Sequence, residues 1–214
     1  MSLETRLQGV RDRLSRACDA AGRDPASVTL IAVSKTFPLD LLKEAYDLGV
    51  RDFGESRWQE AKPKIEAMPD DVTWHFIGHL QSNKAKAIGT AFDWVHTVST
   101  ESALKELSKV PGGVDAFIEV NSGEESQKSG IFPNFLDDFA KIALQYPLVR
   151  LLGLMHIGPA LEPEAARKFH RLVNERRKSL GLQFLSAGMS HDMEVAIQEG
   201  STHIRIGSAI FGER

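Results

Sequence analysis

A lysine that directly follows a short, β-rich apolar run is well placed to act as an amine nucleophile, and Lys35 follows Leu30–Ser34 in this way. If that run is a strand of a parallel barrel, Lys35 projects at its C-terminal mouth, where the active sites of such barrels lie. Partial burial against the barrel wall lowers a lysine's pKa, and the neutral amine can then attack an aldehyde to form a Schiff base. Position alone leaves a second reading open, in which Lys35 is an ordinary solvated charge. Two later segments bear on the choice. Ala187-Gly188-Met189-Ser190 leads into His191-Asp192-Met193-Glu194, which opens a helix running to Gly200. Ser190 is expected to cap that helix, with its hydroxyl and the first backbone N–H groups turned toward an anion. In Arg205-Ile206-Gly207-Ser208-Ala209, Gly207 permits close backbone approach, and the N–H groups of Gly207 and Ser208 can complete a phosphate cradle. A phosphorylated aldehyde satisfies both ends of this constellation.

Arg205 stands one step before that cradle. A guanidinium stays protonated and only donates hydrogen bonds, so it would hold the nitrogen of a pyridine ring in its unprotonated form. A neutral pyridine is a poor electron sink, which weakens carbanion chemistry. A structural salt bridge across the mouth is the alternative role for this arginine.

Elements able to position these residues are legible along the chain. From Val28 onward, short apolar runs alternate with helical patterns, the mark of repeated βα units. Candidate strands are Thr29–Val33, Arg51–Phe53, Thr73–Ile77, Trp94–Val98, Asp115–Val120, Leu151–Met155, Phe184–Ser186 and His203–Ile206. Pro38 and Pro133 suit first helical turns, and Gly49 and Gly181 suit C-terminal caps. Apolar stripes run through Leu41, Leu42, Ala45 and Leu48, through Phe135, Leu136, Phe139, Ile142 and Ala143, and through Phe169, Leu172, Val173 and Leu180. Leu3, Leu7, Val10, Leu14, Ala17 and Ala21 mark an amphipathic N-terminal helix, with Cys18 near its stripe as a buried, inert thiol. Seven helices between eight strands leave one gap in a closed ring, which this first helix can cover. An open doubly wound sheet would more often carry a G-x-G-x-x-G turn, and none occurs. The expectation is one α/β domain over residues 1–214, a (β/α)8 TIM barrel with an extra N-terminal helix. The longest irregular stretch, Asn121–Phe132, follows the fifth strand, as either a functional or a merely mobile loop.

Composition narrows the partners. A formal net charge of -3 supplies no broad basic field for nucleic acid. No apolar stretch approaches membrane-spanning length, and no signal-peptide core opens the chain. A single cysteine excludes an internal disulfide and multi-cysteine metal sites, as suits a reducing cytoplasm.

Five blocks carry a family resemblance: Ala32-Val33-Ser34-Lys35-Thr36, Phe53-Gly54-Glu55, Trp74-His75-Phe76-Ile77-Gly78-His79-Leu80-Gln81-Ser82-Asn83-Lys84, Gly188-Met189-Ser190, and Ile204-Arg205-Ile206-Gly207-Ser208-Ala209-Ile210-Phe211-Gly212-Glu213-Arg214. Together they closely resemble the pyridoxal phosphate homeostasis protein family, across nearly the whole chain. The resemblance implies a barrel of the alanine racemase N-terminal type holding pyridoxal 5′-phosphate (PLP) as a Schiff base on Lys35. It implies phosphate contacts from Ser190, Gly207 and Ser208, a pyridine-nitrogen contact from Arg205, and further cofactor contacts from Ser56 and Met155. Ser56 stands where the family usually has asparagine, so a polar contact there is shorter or water-mediated, and Ser208 stands where threonine is usual. His156 and His79 read as hydrogen-bonded structural groups. Within Gln81–Lys84, Ser82 is expected to cap a helix, with Lys84 and Lys86 as solvated charges.

The implied function is a non-catalytic, monomeric, cytoplasmic carrier that releases PLP to acceptors such as PLP-dependent apoenzymes, with no catalytic residue, metal, nucleic-acid or membrane partner. The alternative is a PLP-dependent amino-acid racemase, which needs a second acid/base group opposite the cofactor. The only tyrosines, Tyr46 and Tyr146, fall in expected helices away from the mouth. A lysine-dependent phosphosugar aldolase is a third reading, and cofactor colour would count against it.

Overall fold

The computed structural model describes residues 1–213; Arg214, the last residue of the tail motif, lies outside them. Eight strands occur in chain order: β1 Thr29–Val33, β2 Asp52–Glu55, β3 Thr73–Phe76, β4 Trp94–Val98, β5 Val114–Val120, β6 Val149–His156, β7 Phe184–Ser186 and β8 His203–Ile206. Each pairs in parallel with the next. The ring closes where β8 meets β1, from Thr29 opposite His203 to Ala32 opposite Ile206. The helices are α1 Leu3–Ala20, α2 Leu39–Asp47, α3 Trp58–Ala67, α4 Ser82–Ala91, α5 Glu101–Leu107, α6 Leu136–Ala143, α7 Pro163–Ser179, α8 Met193–Gln198 and α9 Ser208–Phe211.

The expected grammar recurs with local differences. Gly49 (φ 87°) and Gly181 (φ 67°) take the left-handed region just beyond α2 and α7, where a side chain would be strained. Strand β2 runs two residues further than its apolar run suggested, through Gly54 and Glu55. Gly54 is required there, because a Cβ would stand 2.9 Å from Ile31 Cγ2. Strand β6 is longer at both ends than Leu151–Met155, and Arg150, just before that expected span, lies in register with Asp115 and pairs with it. Phe135 does not join the buried stripe of α6. It ends a 3-10 turn, Pro133–Phe135, that rotates it outward to 58% exposure, while Leu136, Phe139, Ala140 and Ala143 are buried.

Helix α1 buries Leu3, Leu7, Val10, Leu14, Ala17 and Cys18 and packs on α8 and α9, covering the gap beside β8. Arg6 Nε donates to the Ile210 carbonyl at 2.7 Å, and Arg13 Nε pairs with Glu194 Oε1 at 2.6 Å. First and last elements are thereby tied together.

The barrel interior is unusually polar. Rings from His75 on β3, Trp94 and His96 on β4, Phe117 on β5, Phe184 on β7 and His203 on β8 pack against one another. Trp94 and His203 approach to 5.8 Å between centroids, although β4 and β8 are not neighbours, so they meet across the lumen. Branched aliphatic residues ordinarily dominate this space. Desolvation in it lowers the His203 pKa to about 3 and holds His96 well below the usual histidine range.

Gly78, just past β3, touches the neighbouring loop so closely that a Cβ would lie 2.0 Å from the Ser56 carbonyl oxygen. Gly78→Ala is therefore expected to lower unfolding free energy by several kcal/mol, on the order of other severe overpacking substitutions. Gly9→Ala, in the exposed face of α1 with nothing within 4 Å of a Cβ, should instead raise it by about 0.5–1 kcal/mol. Urea denaturation of both variants checks the contrast. For His203, the folded pKa lies below the unfolded one, so the unfolded state binds the extra proton and stability falls as pH drops from about 6.5 toward 3. Glu55 and Glu119, whose carboxyls burial holds above the usual range, act in the opposite sense over their own windows. Comparing wild type with His203→Phe isolates the histidine: the variant's acid slope should be shallower by up to about 1.4 kcal/mol per pH unit.

Candidate functional site

Two hydrogen-bond systems aim Lys35 from behind. Ser34 ends the β1 run with its hydroxyl on Glu55 Oε1 at 2.7 Å. Lys64, reaching in from α3, donates to the Ser34 carbonyl at 2.9 Å, to Glu55 Oε1 at 2.7 Å and to Glu60 Oε1 at 2.9 Å. Glu60 Oε1 also accepts the Thr36 N–H. Thr36 sits at φ 68°, a conformation that costs a β-branched residue energy, and the Glu60 contact holds it there. Both neighbours of Lys35 are fixed to one buried ion cluster. Burial pushes the Glu55 carboxyl above its usual range despite Lys64 and Ser34, whereas for the less buried Glu60 the Lys64 and Thr36 contacts outweigh desolvation and hold it below.

Lys35 faces a cavity of about 320 Å³ at the C-terminal mouth, whose lining includes Ser190, His191, Arg205, Gly207 and Ser208. That volume lies within the roughly 300–1,000 Å³ of small-ligand sites. Larger clefts of about 520 and 410 Å³ open at the strands' N-terminal ends, lined by residues such as Asp93, Asp115 and Asp52, away from the lysine and the loops after β7 and β8.

The two loops offer orphan donors. The backbone N–H groups of Ser190, His191, Ser208 and Ala209 have no hydrogen-bond acceptor among the described residues. The expected capping role of Ser190 is not realised. Helix α8 begins only at Met193, and Asp192 occupies the cap position. Asp192 Oδ1 accepts the Met189 N–H at 2.7 Å, and its Oδ2 accepts from His170 Nε2 at 3.0 Å, so residues 189–192 form a tight turn. Desolvation of Asp192 is outweighed by these two donors, which hold its carboxyl below the usual range. His170 Nδ1 in turn faces His156 Nε2 at 3.0 Å, and His156 Nδ1 faces the Ser122 hydroxyl at 3.1 Å. The turn is thus braced, through two imidazoles, to the loop after β5. That loop folds back on itself: Ile131 bridges Val120, and Asn121 Nδ2 donates to the carbonyls of Glu125 and Lys128.

Arg205 is 5% exposed. Nη1 donates to Ser186 Oγ at 2.8 Å and Nη2 to the His156 carbonyl at 2.9 Å, which leaves further guanidinium donors for the cavity it lines. Burial lowers its pKa to about 10, countered by Asp192 and Glu119, and it stays charged at neutral pH.

Of the residues expected from sequence, Lys35, Ser190, Arg205, Gly207 and Ser208 converge on this one cavity. Ser56 instead lines a separate cavity of about 210 Å³ with His79, Gln81 and Lys84. Met155 is fully buried in β6, opposite Ser186. Ser82 does not cap α4: Gln81 holds the cap position, and the Ser82 hydroxyl bonds Ser102 Oγ at 2.7 Å. The supporting residues Lys64, Ser186, His170 and Asp192 carry no local motif. Their one signal is polarity at positions whose helical or strand period points inward. The arrangement suits a phosphorylated aldehyde, with an amine, anion donors and a guanidinium lining one cavity.

Removing Lys64 strands the Glu55 carboxylate, so Lys64→Met is expected to cost about 3–5 kcal/mol. Adding Glu55→Gln should recover much of that loss, as measured by urea denaturation; additive losses would show that the pair is not coupled.

Residues 6–214 match the alanine racemase N-terminal domain family. A protein of Pseudomonas aeruginosa called pyridoxal phosphate homeostasis protein is 44% identical over 216 residues, covering 96% of this chain and 93% of that one. One of the same name from Aquifex aeolicus is 41% identical over 221 residues, covering 98% and 97%. A solved structure of PipY from Synechococcus elongatus PCC7942 with PLP bound has a TM-score of 0.82 at 32% identity, covering 99% of this chain and 100% of that one. The chain therefore belongs to the alanine racemase N-terminal domain family and, within it, to the pyridoxal phosphate homeostasis proteins.

Proposed function

We propose that this protein is a carrier of PLP: it holds the cofactor as a Schiff base on Lys35 and releases it to acceptor amines, those of PLP-dependent apoenzymes among them, without catalysing turnover. The carrying observation is the shared cavity of Lys35, Arg205 and the loops at Ser190 and Gly207–Ser208. Relatives named for PLP homeostasis and a PLP-bound structure of similar shape support the same reading. When bound, PLP supplies an aldehyde that condenses reversibly with a primary amine, releasing water. Lys35 provides that amine, and its flanking Ser34 and Thr36 anchors keep it in the mouth. Ser190, Gly207 and Ser208 receive the phosphate through N–H and hydroxyl donors. Arg205, charged and able only to donate, faces the ring nitrogen and keeps it unprotonated.

Racemisation needs a second proton-handling group on the far side of the ring. The two tyrosines are engaged elsewhere: the Tyr46 hydroxyl bonds Asp71 at 2.6 Å, and that of Tyr146 bonds Glu101 at 3.1 Å. The donor-only Arg205 also argues against stabilising a carbanion in the ring.

Wild-type protein incubated with PLP is expected to gain a visible absorption band and, after borohydride reduction, a covalent adduct at Lys35. Lys35→Ala should lose both while its unfolding free energy, measured by urea denaturation, stays within about 0.5 kcal/mol of wild type, because the side chain is partly exposed. An adduct formed equally well in the variant would overturn the assignment.

A further inference from the structure

Arg205 is the first member of a longer series of contacts. Its Nη1 donates to Ser186 Oγ at 2.8 Å, and that oxygen lies 2.9 Å from His96 Nδ1. His96 Nε2 lies 3.0 Å from His75 Nδ1, and His75 Nε2 lies 3.0 Å from Asp52 Oδ1. Five side chains on β8, β7, β4, β3 and β2 thus form an unbroken string through the barrel. It starts at the mouth, beside the cavity of Lys35, and leaves at the opposite end, where Asp52 lines a different cleft and its side chain is 31% exposed.

The two ends dictate the direction of every bond between them. A guanidinium can only donate and a carboxylate can only accept. Ser186 is fully buried and already accepts from Arg205, so its single hydrogen needs an acceptor, and His96 Nδ1 is the one in reach among the described residues. Burial keeps His96 neutral, with one N–H. That hydrogen must then sit on Nε2 and be given to His75 Nδ1, whose own Nε2–H goes to Asp52. The opposite polarity would place a hydrogen on His96 Nδ1 facing the Ser186 oxygen and leave the Ser186 hydrogen without an acceptor in a dry site. Chains of this kind polarise one another, so each bond strengthens the next.

We propose that this string is a one-way hydrogen-bond relay, Arg205 to Ser186 to His96 to His75 to Asp52, through which a carboxylate at the far end of the barrel fixes the aim of the Arg205 guanidinium. His96 and His75 are positioning residues locked as Nε2–H tautomers, and Asp52 is the anchor. The relay stands on the geometry of the chain itself; only its consequence for a ring nitrogen rests on the proposed function.

The test begins without cofactor, on protein labelled with nitrogen-15 in histidine and arginine. His96 and His75 are expected to show protonated Nε2 and bare Nδ1 in NMR spectra, and the Arg205 guanidinium hydrogens should exchange slowly with water. Asp52→Ala, at a partly exposed position, should mix the two histidine tautomers and speed Arg205 exchange about tenfold, the scale of one lost hydrogen bond. Asp52→Asn retains an accepting oxygen and should restore slow exchange. Asp71→Ala, which removes a nearby acid outside the string, should change neither reading. With PLP as the probe, Asp52→Ala should also move the visible band and raise the dissociation constant by a similar factor, with Asp52→Asn again close to wild type. A hydrogen on His96 Nδ1 in the wild type, or Arg205 exchange indifferent to Asp52→Ala, would overturn the relay. Failure of wild type to take up PLP would instead count against the carrier reading, with the tautomers and the Arg205 exchange still judging the relay.

Discussion

A buried guanidinium is the constraint around which the upper half of this barrel is built. Taking the Arg205 charge out of water costs several kcal/mol unless hydrogen bonds and opposite charge replace the lost hydration. The replacements come from separate strands and loops: the Ser186 hydroxyl from β7, the His156 carbonyl from β6, and the fields of Asp192 and Glu119. Each of these groups has its own obligation. Asp192 shapes the 189–192 turn and binds His170, and Glu119 accepts from Ser129 in the loop after β5. Satisfying one charge therefore sets the shape of two loops and the contents of the lumen.

On the other side of the mouth the logic repeats with the sign of the organising charge reversed. Glu55 is the buried group there, and Lys64 and Ser34 surround it. The cluster has a geometric by-product: because Lys64 also binds the Ser34 carbonyl and Glu60 binds the Thr36 N–H, Lys35 is held between two fixed points. The backbone on either side of Lys35 is therefore fixed by the same charges that neutralise Glu55.

The eight-strand grammar was readable because parallel strands buried on both faces form apolar runs bounded by turn residues. The lysine and the loops after β7 and β8 were readable for a related reason: in a barrel, chain position after a strand translates directly into location at the mouth. What escaped reading depends on contacts across the lumen or between loops. His75, His96 and His203 look like isolated polar residues along the chain; their partners lie on other strands, some adjacent, as Asp52 is to His75, and some across the lumen, as Ser186 is to His96 and His203 to both. Ser190 looks like a helix cap because serine commonly is one, yet α8 begins only at Met193, with Asp192 at the cap position bound to the Met189 N–H and to His170 on α7. Gly54 looked like the end of a strand and proved to be a strand residue with no room for a side chain. The direction of Met155 is not encoded locally, since a one-residue difference in register decides which side of the barrel wall a strand side chain faces, and Ser56 lies in the bend beyond β2, where no strand period applies.

The seating of α1 against α8 and α9, secured by Arg6 on the Ile210 and Phe211 carbonyls, joins segments about two hundred positions apart. On the ribosome the first helix must wait, its apolar stripe uncovered, until nearly all of the following chain has emerged. Contacts of such long sequence separation are slow to form and leave sticky surface exposed meanwhile. Any partly folded state in which α8 and α9 are not yet docked therefore leaves part of the α1 stripe without its cover.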